Sequence, residues 1–175
     1  MSDVRKQRIE ILRSKVWRNA QRKDLINKVS KFIPISIDSF MDRETNSIFC
    51  KELFSKLDNL SDRTIFGNMN YEENRKLSLE LLEKVAKIIQ FPANQGRLFF
   101  FREHGIEAVK LDINEIFDNL EEISIITNFL NGYGDFILVG DDLEFGVCIE
   151  RTEYHYEFSM WGVAEITGIE AFLEE

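Results

Sequence analysis

The sequence predicts an α+β fold, with N-terminal antiparallel helices over about residues 1–92 packed with a C-terminal, mostly antiparallel β-sheet in residues 97–175. Two observations predict it. In the first half, apolar residues recur at helical spacing, as in Leu25, Ile26, Val29, Phe32 and Ile33. In residues 135–162 the period becomes two. Phe145, Val147 and Ile149 alternate with Glu144, Gly146, Cys148 and Glu150, and Tyr154, Tyr156, Phe158 and Met160 alternate with His155, Glu157, Ser159 and Trp161. Such alternation predicts a sheet with one buried and one wet face. The helical stripes need a surface to cover, so residues 1–175 are read as a single domain.

The elements follow in order. Residues 4–18 form a basic helix with Ile9, Leu12 and Val16 on one face and Trp17 beside it. A second helix spans 22–33 and stops at Pro34, because the residue before a proline is driven out of the helical region. Residues 35–41 are an apolar connector. Asp42 is placed to cap a helix over 43–59 whose stripe is Phe49, Leu53, Leu57 and Leu60. Residues 61–69 read as a polar loop. Asn70 and Glu73 have capping-box spacing and open a helix over 71–90, with Leu77, Leu81, Val85 and Ile88 inward and Pro92 closing it.

After Asn94-Gln95-Gly96, residues 97–102 have strand composition and 106–111 pair back across Glu103-His104-Gly105. Asp112 and Glu115 cap a short helix with Ile113, Ile116, Phe117 and Leu120 on one side. Residues 121–131 continue it or restart as a second helix through Ile123, Ile126 and Leu130 to Gly132 as the C′ residue, although 123–127 also have β-branched composition. Three strands follow, joined at Gly140-Asp141-Asp142 and Arg151-Thr152-Glu153. Residues 163–175 read as a short terminal helix with Ile169, Phe172 and Leu173 apolar.

Composition narrows the function. The chain is 44% hydrophobic and 30% charged, with fifteen Phe, as expected of a globular protein with an aromatic core. No apolar run is long enough to span a bilayer, and MSDVRKQRIE has no apolar signal core, so a cytoplasmic protein with no membrane partner is expected. Cys50 falls on a helix and Cys148 on a strand; free thiols are the first reading and one disulfide the alternative. His104 and His155 have no cysteine or second histidine at metal-ligand spacing, and no phosphate-loop, dinucleotide or nucleophile-elbow motif occurs. A Cys148–His155 pair on adjacent strands, or a cation held by Asp135, Asp141, Asp142, Glu144 and Glu150, are the two catalytic arrangements the residues allow. An inert packed thiol and an acidic surface outweigh them. The expectation is a non-enzyme with no cofactor and no metal.

The charge is strongly graded. Residues 1–31 hold ten Lys/Arg against three Asp/Glu, whereas residues 111–175 hold sixteen acids and Arg151 alone, within a net charge of −9. Acids on neighbouring strands cost about 0.2–1 kcal/mol per opposed pair. Two readings explain them: the outer strands of an acidic protein, or a surface that receives a basic partner and speeds encounter with it. On the second reading Glu144, Glu150 and Glu157 supply the field, Asp141, Asp142 and Glu153 extend it at the turns, and His155 and Trp161 add directional contacts.

Across residues 97–162, Asp-Phe-Ile-Leu-Val-Gly-Asp-Asp-Leu followed by Glu-Tyr-His-Tyr-Glu-Phe-Ser-Met-Trp-Gly resembles bacterial immunity proteins, the partners of polymorphic and contact-dependent growth inhibition toxins. The resemblance implies tight binding of one cognate toxin domain. Many such toxins are nucleases with basic clefts, which an acidic face occupies by imitating a phosphate backbone. No nucleic-acid partner is expected on that reading. A non-toxin interaction or regulatory module, and a nucleic-acid binder using the basic segment 4–31, are the alternatives.

Overall fold

The computed structural model describes residues 3–103 and 105–164, and its helices surround a six-stranded antiparallel sheet in an α+β fold. Helices α1 (Asp3–Val29) and α2 (Arg43–Asp58) precede strand β1 (Thr64–Phe66) and helix α3 (Tyr71–Ile88). Strands β2 (Gln95–Arg102) and β3 (Gly105–Asp112) form a hairpin, followed by α4 (Ile113–Asp118) and α5 (Leu120–Ile126). The meander β4 (Phe136–Val139), β5 (Gly146–Arg151) and β6 (Tyr156–Trp161) comes last. The spatial order is β1-β6-β5-β4-β2-β3.

Local chemistry explains the helix starts. The Asp42 carboxylate accepts from the amides of Glu44 and Thr45, Asn70 accepts from the Glu73 amide, and Asp112 accepts from the Glu115 amide. Each side chain satisfies donors that the first helical turn leaves unpaired. Glu73 does not reach back to complete a capping box; it takes a hydrogen bond from the Asn68 side chain at 2.8 Å. Of the two expectations for 121–131 the structure shows the restart, with α5 beginning just after Asn119, but the helix ends early, after Ile126. Asn128, at φ +72°, takes the left-handed position there, four residues ahead of Gly132, which is itself at φ +82°.

Three further expectations are corrected. The two N-terminal helices are one continuous helix of 27 residues, because Asn19-Ala20-Gln21 contains no residue that stops a helix. Its second half buries Leu25 and Val29, whereas Ile11, Leu12 and Val16 are 62%, 56% and 69% exposed, so the first half stands clear of the body. The supposed loop 61–69 contains β1, which pairs antiparallel with β6. The sheet also has no simple wet face. Leu98, Phe100, Val109, Leu138, Val147, Ile149 and Phe158 pack with α1, α3, α4 and α5 on one side. On the other, Phe99, Ala108, Ile137, Val139 and Cys148 pack with Phe49, Leu53 and Leu57 of α2. The helices expected as antiparallel neighbours are therefore divided by the sheet.

The two edges of the sheet differ. Ser36 caps a short 3-10 turn, Ile37–Ser39, that brings Phe40 into an antiparallel bridge with Val109 on β3. Asn46 of α2 ties down the same strand, donating to the Ile106 carbonyl at 2.7 Å and accepting from the Ala108 amide at 3.0 Å. The opposite edge is β1, three residues long with Ile65 exposed. The tail helix expected over 163–175 lies outside the described residues from 165 on, as does His104; Ala164 bridges Gln90.

Candidate functional site

The expected partner-binding residues occupy three places on the last two hairpins. Asp141, Asp142 and Glu144 ring the β4–β5 turn, Glu150 and Glu157 stand opposite each other on β5 and β6, and Glu153 and His155 belong to the β5–β6 turn. Trp161 ends β6.

The β4–β5 turn is built by hydrogen bonds within itself. Gly140 donates to the Phe145 carbonyl, Leu143 donates to the Gly140 carbonyl with its own φ at +61°, and Glu144 donates to Asp142 Oδ1 at 3.1 Å. This conformation turns Asp141, Asp142 and Glu144 outward, all exposed. Arg97 Nε lies 2.6 Å from Asp141 Oδ1, and Lys110 Nζ pairs with the other oxygen. Burial pushes the Asp141 carboxyl up, but the Lys110 hydrogen bond and the Arg97 and Lys110 charges outweigh it and hold the group below its ordinary value. The turn also borders a cleft of about 580 Å³ lined by Asn94, Gln95, Lys110, Asp112, Asp141 and Asp142.

Glu150 and Glu157 are directly opposed in register across β5 and β6, but neither faces solvent freely. Arg63, from the segment after α2, sits between them with Nη1 3.0 Å from Glu150 Oε2 and 2.8 Å from Glu157 Oε2. Its other terminal nitrogen donates to the Leu57 carbonyl, which fixes it to the end of α2. The Arg63 hydrogen bond is the main cause holding Glu157 below the ordinary carboxylate range; His155 Nε2, 3.2 Å from Glu157 Oε1, adds to it. Burial raises Glu150 despite the Arg63 charge. These two acids form an internally paired node with Arg63 rather than an open field. The signal for Arg63 was invisible locally, since it lies 87 and 94 residues from its partners.

Trp161 is half-buried. Its indole lies across Gly146, donates to the Leu143 carbonyl at 2.9 Å and has the Lys56 ammonium 5.6 Å from its ring. It braces the acidic turn from beneath. Glu153 is exposed at the far end of the sheet beside Tyr154, and so stands apart from Asp141, Asp142 and Glu144.

The two catalytic arrangements are not assembled. Cys148 faces Ser159 across the β5–β6 ladder rather than His155. It is fully buried, and burial pushes its thiol well above the ordinary value. Burial also pushes Cys50 up to about 11. Asp135 accepts from the Arg151 amide at 2.9 Å, and burial raises its carboxyl. Among the described residues no group of three or more His, Cys, Asp or Glu is placed to hold a metal ion. No helix among them is long and apolar enough to cross a membrane.

Residues 25–161 match the family model described as YxiF protein. No curated protein and no solved structure matches the chain.

Proposed function

The chain belongs to the YxiF family, and we propose that it is an immunity protein, a non-enzymatic inhibitor that binds a basic bacterial toxin domain, a nuclease above all, through the acidic end of its sheet. The observation that carries the reading is the β4–β5 turn, where Asp141, Asp142 and Glu144 project together from a rigid strand pair. One cation pair, Arg97 and Lys110, offsets Asp141 only. The turn sits in a segment with sixteen acids and one base, so its local field attracts a basic surface and accelerates encounter. Trp161 beneath it keeps the turn preorganised, which lowers the ordering cost of association.

The reading is tested by tagging the protein in its native cell, recovering partners at low and then high salt, and co-expressing any basic toxin domain recovered with the protein or with its Asp142→Lys/Glu144→Lys variant. The proposal expects one stoichiometric domain, growth protected by the native protein, and protection lost in the variant. Growth that is not protected refutes the inhibitor function, and protection that survives the charge reversal refutes the surface.

A second reading draws on α1. Its clear-standing half carries Arg5, Lys6, Arg8, Arg13 and Lys15, a basic segment of the kind that binds nucleic acid. It expects salt-dependent retention on DNA or RNA that disappears when these bases are replaced.

A further inference from the structure

Where α1 passes α2 above the start of β3, a cleft of about 430 Å³ opens, within the range of about 300–1,000 Å³ usual for small-molecule sites. Its charge is opposite to that of the molecule. At its floor Glu107, a buried carboxylate, receives both Arg18 and Arg22. Arg18 contributes Nε and Nη2, the latter at 3.0 Å, and Arg22 contributes Nε at 3.2 Å and Nη2 at 3.0 Å. Arg22 also reaches the Met41 carbonyl. One carboxylate offsets one of the two guanidinium charges, so a positive charge remains at the floor. Arg43 and Lys51, both exposed on the α2 side, add two more at the rim, and Glu107 is the one acid among the described residues that line the cleft. Burial keeps the neighbouring Cys50 thiol neutral at physiological pH.

The remaining walls are aromatic and apolar. Trp17 of α1 faces the cleft, and Phe54 and Ile106 line it with Arg43 and Lys51. A simple anion needs the bases but not these walls, and an apolar ligand needs the walls but not the bases. We propose that this cleft binds a nucleoside monophosphate, with the phosphate on Arg18, Arg43 and Lys51 and the planar base against the Trp17 indole. Guanidinium and ammonium donors make charge-assisted bonds to phosphate oxygens, and aromatic rings stack on any base. In a protein of net charge −9, which repels anions at a distance, such a local inversion of charge sets the site apart from its surroundings. The site lies at the opposite end of the sheet from the β4–β5 turn, so it does not depend on toxin binding.

The test uses the full chain and calorimetry with AMP, GMP, CMP, UMP, adenosine and inorganic phosphate. Trp161→Phe, whose fold is checked by circular dichroism, leaves Trp17 as the sole tryptophan, and its fluorescence reports the same titrations. The expected result is at least one monophosphate with a Kd below about 1 mM that quenches Trp17, binding about tenfold or more tighter than adenosine or phosphate alone. Arg43→Ala with Lys51→Ala, both surface changes, is expected to weaken it by about tenfold or more. No binding of any of the four nucleotides overturns the proposal. So does binding indifferent to the double substitution, and so does phosphate alone binding as tightly as the nucleotides, which would make the cleft an adventitious anion site.

Discussion

Arg63→Gln is the substitution with the most specific consequence. The native guanidinium touches Glu150 and Glu157 at 3.0 and 2.8 Å, and the three side chains are between 21% and 25% exposed, so solvent screens the contacts only in part. Hydrogen bonds to charged groups contribute about 1.5–3 kcal/mol in such settings. The opposed carboxylates left behind repel across the ladder by up to about 1 kcal/mol. The variant should therefore lose about 2–4 kcal/mol at pH 7, and its Tm should fall by about 4–16 °C. The pH dependence carries the sharper prediction. Glu157 is held low by Arg63, so its stabilisation is present above its unfolded value and is lost as pH falls through its folded value. Glu150 is raised by burial, so its ionisation costs stability that returns as pH falls. Without Arg63 both carboxyls rise, and the deficit of the variant should shrink between pH 7 and pH 5. Urea unfolding followed by circular dichroism at the two pH values measures it, and Glu150→Gln in the variant should recover part of the loss. A deficit that is below about 0.5 kcal/mol at pH 7, or that grows on acidification, refutes the node.

Other outcomes follow from single positions. Gly162→Ala should be among the most destabilising changes in the chain. Gly162 has φ +62° and a Cβ there would overlap the Glu144 carbonyl, so a strained backbone and a displaced acidic turn follow, read as a Tm loss together with altered Trp161 fluorescence. Asp42→Ala removes the cap of α2 and should lower the midpoint of chemical denaturation, with Asp42→Asn recovering most of the loss. Leu53→Ala, fully buried where α2 meets the sheet, should cost about 2–5 kcal/mol; a surface-like loss under about 1 kcal/mol would mean that α2 does not cover this face. At pH 8 a thiol reagent should modify Cys50 slowly and Cys148 only on unfolding, because burial raises both thiols and Cys148 lies under α2; equal rates in the native protein would contradict that packing.

Much of the fold was legible because its signals are local. Asp42, Asn70 and Asp112 announce helix starts through their own side chains, and the β2–β3 and β5–β6 hairpins show in composition and alternation. The second helical layer was harder to read, yet a sign of it existed. Leu98-Phe99-Phe100-Phe101 and Phe136-Ile137-Leu138-Val139 do not alternate, as expected of strands buried on both sides. Gly146, Cys148 and Ser159 on the supposed wet face are small, which leaves room for a covering helix. β1 is too short to stand out within a polar segment. The acidic residues were placed on the right strands and turns, but the pairing of Glu150 and Glu157 with Arg63, and of Asp141 with Arg97 and Lys110, is a long-range fact that no local pattern encodes.

The unequal edges of the sheet bear on how copies of this chain meet. Phe40 occupies β3, so edge-to-edge growth is blocked on that side, while β1 offers one short row of backbone donors and acceptors. A subunit with a single available edge joins one other and then has none left. With one edge open among the described residues, strand pairing between native copies would stop at two rather than propagate into a fibre. Propagation would require the Phe40 segment to detach from β3 first.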